Sequence, residues 1–258
     1  MDLIKTLENL EPIFIQAGKL ALKMQENVIS HNKFNTGNSA ADIVTEADLA
    51  VQEFLLNEML KTDLINCYLL AEENTVSAKK FNEEGKYFLS IDPIDDTALY
   101  AKGKEHFSTI ISLHDGHKFL YMFIYFPAWD WIHKIVNDDY SIIGEAPNLP
   151  DNAKDTILCW SGNPEKNIPE EVLNELKKRG IKFGSLRGIY PDLGSIAMFA
   201  NNKIAGIYHE NPNVYDGLVE YNIALAKGLK TYSSPIDLTN IAKRETGFYY
   251  PGYYLALI

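Results

Sequence analysis

Apolar residues at Leu3, Leu7, Leu10, Phe14, Ala17, Leu20, Met24 and Val28 recur every three to four positions, the spacing of one helical face. Pro12 is expected to divide this run, opening a second helix from its first turn. The tract "SHNKFNTGNSAA" (30–41) is polar, without a period, and reads as a mobile loop. "TEADLAVQEFLLNEML" (45–60) returns to the helical period, and Thr45 with Asp48 three residues on matches a capping box. From residue 65 the pattern changes to short aromatic and β-branched runs: "INCYLLA", "KYFLSID", "FSTIISLHDG", "HKFLYMFIYF" and "WDWIHKIV". These read as strands, with a hairpin turn at "HDGH" (114–117), where Asp-Gly tolerates positive φ. The second half alternates: strand near 155–160, helix 169–179, strand 181–186, helix 193–201, strand 203–208, helix 216–227. Such an order predicts α/β layers with helices covering sheets. A weak boundary falls in "EAPNLPDNAKD" (145–155), where two prolines and several polar residues interrupt the pattern.

The 258 residues suffice for a sizeable core, 46% of them being hydrophobic. No run reaches the roughly 18 apolar residues of a membrane span, and the acids of "MDLIKTLENLEP" do not suit a signal peptide, so a cytoplasmic protein without a membrane partner is expected. Cys67 and Cys159 both lie in apolar runs and read as buried thiols, which disfavours a disulfide framework or a thiolate zinc site. A net charge of −11 disfavours nucleic-acid binding through general phosphate neutralisation. His106, His114, His117 and His133 show no metal-ligand spacing.

Against that background the carboxylates stand out. Glu72 and Glu73 in "AEEN" and Asp92, Asp95 and Asp96 in "SIDPIDDTALY" sit where apolar strands hand over to loops. Strand ends are where ligands bind in layered α/β folds. Two carboxylates about 4 Å apart repel by roughly 4 kcal/mol at an effective dielectric of 20, so the cluster calls for cations. Oxygen ligands alone select a hard ion, Mg²⁺ or Mn²⁺, and Pro93 fixes the backbone so that the Ile94 carbonyl faces the same cup. A cup of this kind suits phosphoryl transfer. The plain alternative is an Asx-type turn capping a helix over residues 96–101.

The motifs resemble those of the inositol monophosphatase superfamily of Mg²⁺-dependent, lithium-sensitive phosphatases. "DIVTEAD" (42–48) resembles its D-x-V-T-x-x-D, "AEE" (71–73) its G-E-E, and "DPIDDT" (92–97) its D-P-I-D-G-T. "YDGLVEYNIALAKG" (215–228) resembles its W-D-x-A/T-A segment, and "LGSIAMFANNKIAGIYH" (193–209) the stretch before it. The resemblance implies an alternating α-β-α-β-α sandwich with mixed sheets, one phosphatase domain over 1–258 in which the metal motifs lie in 1–150, and a homodimer. It implies two to three Mg²⁺ ions, with Mn²⁺ as substitute, held by Glu72, Asp92, the Ile94 carbonyl, Asp95 and Asp216. Glu72 would orient the attacking water, and Thr97, paired to Asp48, would share it. The implied substrate is a small phosphate monoester met by Asp96 and Thr97, with Arg187 as a candidate contact for a second anion. An inositol phosphate leads, and a 3′(2′),5′-bisphosphate nucleotide is the alternative.

Asp96 stands where the family pattern has glycine, in a loop whose backbone amides receive the substrate phosphate in the family. A carboxylate about 6 Å from a phosphate dianion opposes binding by roughly 5 kcal/mol at an effective dielectric of 20, and by little over 1 in bulk water. Its orientation therefore separates an active phosphatase from a catalytically silent, metal-binding relative. "TALY" lacks the polar residues that usually follow this motif, Tyr215 replaces the usual Trp, and Lys33 is the candidate for the basic residue before D-x-V-T.

Overall fold

The computed structural model describes residues 2–28, 30–32, 43–185, 192–244 and 247–258. It divides into two compact units, Met1–Glu145 with Glu245–Gly247, and Ala146–Arg244 with Phe248–Ile258.

The first unit opens with α1 (Leu3–Met24), capped by the Asp2 carboxylate, which accepts from the Lys5 N–H. Pro12 lies inside α1 and does not divide it. A proline in a helix interior costs about 3 kcal/mol. Continuity is held by burial on both sides of it, Leu3 and Leu7 before and Phe14, Ala17 and Ala21 after, all in one core. The tract expected as a loop from residue 30 begins instead as β1 (Ser30–Asn32), paired antiparallel with β2 (Ile43–Thr45); residues 33–42 lie outside the described residues. α2 (Glu46–Met59) follows with Thr45 as its N-cap.

Next come β3 (Tyr68–Ala71), β4 (Phe88–Asp95), the short α3 (Thr97–Tyr100), β5 (Ser108–His114), β6 (Phe119–Phe126), β7 (Trp131–Val136) and β8 (Asp139–Ile143). The six strands form one sheet in sequence order, β3 parallel to β4 and the rest antiparallel. Gly116 at φ +89° closes the β5–β6 hairpin. β8 was not foreseen; Asn137 at φ +55° turns β7 back into it, and as an edge strand it is largely exposed. α1 and α2 bury Val51, Leu55, Phe14 and their neighbours against Leu89, Ile91, Ile111 and Phe123 of the sheet. Gly18 lets α1 approach Tyr125 closely: a Cβ there would lie 2.5 Å from the ring.

The second unit contains β9 (Ala153–Cys159), α4 (Pro164–Asn167), α5 (Glu170–Lys178), β10 (Lys182–Gly184), α6 (Ser195–Ala200), β11 (Ile204–Glu210), α7 (Val219–Ala226) and β12 (Thr231–Ser233). β13 (Ala242–Arg244) and β14 (Gly247–Tyr249) form a small ribbon, and β15 (Tyr253–Leu257) ends the chain. The main sheet runs β10-β9-β11-β15-β12, its first three strands parallel and β15 antiparallel to both neighbours. The fold is thus mixed α/β with two mixed sheets. The aromatic C-terminal tail, unassigned from sequence, supplies β15, whose Tyr254, Leu255 and Ala256 are fully buried.

Candidate metal and phosphate site

β3 and β4 run parallel with Ala71 beside Ile91, and the Glu72 N–H donates to the Ile91 carbonyl at 3.2 Å. Continuing that register by one residue sets Glu72 beside Asp92. Asp92 and Asp95, three residues apart on a regular strand, belong on opposite faces. A bulge removes the conflict: on β5, Asp92 faces Ile110 and Asp95 faces Ser108, so three steps on one strand match two on the other. Both carboxylates therefore share a face, while Ile91 and Ile94, also three apart, share the other and enter the same core. Pro93 suits the irregular position because it has no N–H to offer the ladder. Its carbonyl accepts from the Thr109 hydroxyl at 2.9 Å, Asp95 accepts from Ser108 at 3.1 Å, and Asp92 accepts from the Ile94 N–H at 3.1 Å. That last bond is an Asx turn, but not the helix-capping one expected as the plain alternative: α3 starts only at Thr97, and the side chain of its N-cap, Asp96, makes no capping bond.

Asp92 is 4% exposed and Asp95 8%. Two nearly buried carboxylates on one face with Glu72 alongside form an all-oxygen donor set, which fits a hard divalent cation. The Ile94 carbonyl accepts from the Thr97 hydroxyl at 2.9 Å and keeps a second lone pair.

Behind this face lies a buried relay. The capping box at the start of α2 is complete: Asp48 accepts from the Thr45 N–H at 2.7 Å and from its hydroxyl at 2.5 Å, and the Thr45 oxygen receives the Asp48 N–H at 3.4 Å. The other Asp48 oxygen accepts from Thr97 at 3.3 Å. Burial, with Glu73 nearby, pushes the Asp48 carboxyl up to about 6 although the bonds from Thr45 and Thr97 oppose the rise. Gln52, one helical turn after Asp48, was not singled out from the sequence. Fully buried, it takes the Glu73 N–H at 2.9 Å and gives to the Glu73 carbonyl at 2.7 Å, fixing the loop that carries Glu72. A polar residue on the apolar face of α2 was its only signal. Ser108 and Thr109, inside an apolar strand run, gave none.

Asp96 occupies the left-handed region at φ +61°, ψ +41° and leads directly into α3. It thus adopts the backbone a glycine would provide, which Asp accepts more readily than most residues. Ala98, Leu99 and Tyr100 are buried, so the apolar character of "TALY" serves packing. In the second unit, Asn213 accepts from the Tyr215, Asp216 and Gly217 N–H groups at 2.9, 3.0 and 3.1 Å, holding the turn that carries Asp216. α7 begins at Val219, after Asp216, so Asp216 precedes the helix. Arg187 and Lys33 lie outside the described residues.

The sequence model of the inositol monophosphatase family matches residues 6–149. The chain belongs to the inositol monophosphatase family. No curated protein sequence matches it significantly. Solved structures share the fold: an inositol monophosphatase (IMPase) of Thermotoga maritima is 17% identical with a TM-score of 0.64, the alignment covering 98% of this chain and 92% of that one. An IMPase/NADP phosphatase solved with Mg²⁺ and phosphate is 17% identical, TM-score 0.66, coverage 99% and 92%. CysQ from Bacteroides thetaiotaomicron is 17% identical, TM-score 0.60, coverage 95% and 94%. Among the described residues, no helix is long and apolar enough to cross a membrane.

Proposed function

We propose that the chain is a Mg²⁺-dependent hydrolase of small phosphate monoesters. The observation that supports this most directly is the β4 bulge, which turns Asp92 and Asp95 to one face beside the register position of Glu72. In this reading Glu72, Asp92, the Ile94 carbonyl, Asp95 and Asp216 would hold the ions. Two or three Mg²⁺ ions, replaceable by Mn²⁺, would supply counter-charge for the phosphoryl oxygens and Lewis acidity.

The chain's own groups have separate tasks. Thr97 gives its proton toward Asp48 and Ile94, which leaves its oxygen free to accept from a water. Asp48, with a carboxyl poised at about 6, is ionised but weakly basic near neutrality, the range in which a proton acceptor works best. Glu72 would help orient the same water. Asp96 keeps the glycine-like backbone of the loop, and the direction of its carboxylate decides between an active enzyme and a silent relative. The reading carries with it lithium inhibition, a homodimer, a cytoplasmic location and one functional domain over residues 1–258.

Asp95→Asn keeps size and hydrogen-bonding capacity and removes one negative charge. Phosphate release with Mg²⁺ is expected to fall at least a hundredfold with unfolding unchanged; undiminished turnover would remove the proposal. Rates on an inositol phosphate, an adenosine bisphosphate and fructose bisphosphate rank the substrates.

A further inference from the structure

The second unit contains a chain of buried polar groups that hydrolysis does not use. The β9–β11 register sets Cys159 beside Tyr208, so the next residue, Trp160, comes beside His209 on the same face. The Trp160 N–H donates to the Tyr208 carbonyl at 3.0 Å. Its indole N–H donates to Ser195 at 2.9 Å, Ser195 donates to Glu220 at 2.7 Å, and the Tyr254 hydroxyl donates to the other Glu220 oxygen at 3.4 Å. Ser195, Glu220 and Tyr254 are buried, whereas Trp160 is 40% exposed. Burying a carboxylate is costly unless it is hydrogen-bonded. Here the bonded carboxylate sets the orientation of a ring that meets solvent.

The loop after Trp160 is clasped as well. The Ser161 hydroxyl donates to the Glu210 carbonyl and accepts from the Glu210 N–H, while the Asn163 N–H donates to the Glu210 carboxylate. Gly162 at φ +80° is required, since a Cβ would lie 1.9 Å from that carboxylate. The His209 ring lies 6.4 Å from the indole with planes 29° apart, and it bonds the backbone of Gly217, next to Asp216.

Topology gives a second, independent pointer. The chain passes from β9 to β10 on one side, then to β11 on the other, all three parallel. The carboxyl ends of β9 and β11 are therefore a topological switch point, the place where open α/β sheets bind ligands. Trp160 follows one of those ends and His209 lies within the other.

We propose that Trp160, with His209 beside it, is a stacking platform for the planar heteroaromatic base of a nucleotide, so that the ester hydrolysed is a nucleotide phosphate and not a polyol phosphate. An indole face offers a polyol no hydrogen bonds, whereas any base presents a π-face to it, worth about tenfold or more in affinity. The turnover half of this inference rests on the phosphatase reading; the binding half does not.

Equilibrium dialysis in EDTA buffer, where the proposed Mg²⁺-dependent turnover is off, compares adenosine 5′-monophosphate with glycerol 2-phosphate on wild type, Trp160→Leu and Trp160→Phe. Wild type is expected to hold the nucleotide at least tenfold more tightly. Trp160→Leu should lose about tenfold for the nucleotide alone, and Trp160→Phe should keep most of it. Equal affinity for both compounds in wild type, or equal weakening of both in Trp160→Leu, overturns the platform. If Trp160→Leu does not fold, nucleotide quenching of tryptophan fluorescence in wild type and its loss in Trp160→Phe supports the platform, and no difference overturns it. Tight nucleotide binding without phosphate release once Mg²⁺ is supplied sinks the phosphatase reading and keeps the platform. Equal KM for the two esters in wild type does the reverse.

Discussion

Replacing Asp48 by Asn should make the protein more stable and less active. Asp48 is fully buried, and its carboxyl is pushed from 3.8 up to about 6. Two pKa units correspond to about 3 kcal/mol of preference for the neutral form. The sign follows from linkage: below about pH 4 both folded and unfolded Asp48 are protonated and the native state bears no charge penalty. Between 4 and 6 the unfolded chain ionises first, so stability falls as pH rises, and above 6 the full cost of about 3 kcal/mol is present. Asn keeps an acceptor for the Thr45 N–H without ever bearing charge, and its amide meets Thr97 as a donor. Allowing about 1 kcal/mol for weaker bonds, Asp48→Asn should gain about 2 kcal/mol in urea unfolding at pH 8 with EDTA present. At pH 4 the gain should vanish. Phosphate release should fall a hundredfold or more, because Thr97 has lost a proton acceptor. A variant destabilised equally at pH 4 and pH 8 would refute the reasoning, since it would mean that Asp48 carries no ionisation cost.

Three further outcomes follow from single positions. Asp96→Asn tolerates the left-handed backbone and removes charge: stability should hold within about 0.5 kcal/mol, and if the carboxylate faces bound phosphate the KM for phosphate release should drop at least about tenfold. An unchanged KM would place that charge away from phosphate. Gly18→Ala presses a methyl into the Tyr125 ring and should cost about 1–3 kcal/mol in thermal or urea unfolding, although alanine is the better helix former; a stabilised variant would show that the ring yields freely. His114, buried and stacked on Phe88, is held down to about 4 by burial, its Nδ1 accepting the Gly116 N–H. A depressed histidine contributes stability above about 6.5 that is lost as pH falls toward 4, roughly 3 kcal/mol in all. NMR titration showing His114 protonating above pH 6 would contradict this.

How much of this was legible beforehand depended on whether a signal was local. The capping box at Thr45 and Asp48 was, because cap, acceptor and helix lie within four residues. So was the handover at Asp-Pro-Ile-Asp, where Pro interrupts a strand and carboxylates replace apolar residues. The C-terminal strand was not: Pro251-Gly252 reads as a terminator, and Tyr254 gains its place only from pairing with β11, more than forty residues earlier, and with β12 on its other side. Pro12 misled for the opposite reason. Its local cost was read correctly, but both flanking halves of α1 answer to one core, and burial of five side chains outweighs one missing bond.

The site shows the same division more sharply. Residue type placed Asp92 and Asp95 as ligands, but a spacing of three on a strand places them on opposite faces, where no single ion reaches both. Only the register against β5, Asp92 to Ile110 and Asp95 to Ser108, resolves the contradiction, and at the irregularity the Thr109 hydroxyl bonds the Pro93 carbonyl across the sheet. The bulge is thus a two-strand property bridged by a hydroxyl that looks, in sequence, like one more β-branched core residue. Thr109→Val keeps that shape and removes the bond. If the bulge is what unites the carboxylates, this variant should fold, lose about 1 kcal/mol, and bind Mg²⁺ more weakly in calorimetry. Intact Mg²⁺ affinity would mean that Pro93 and Ser108 hold the irregularity without it.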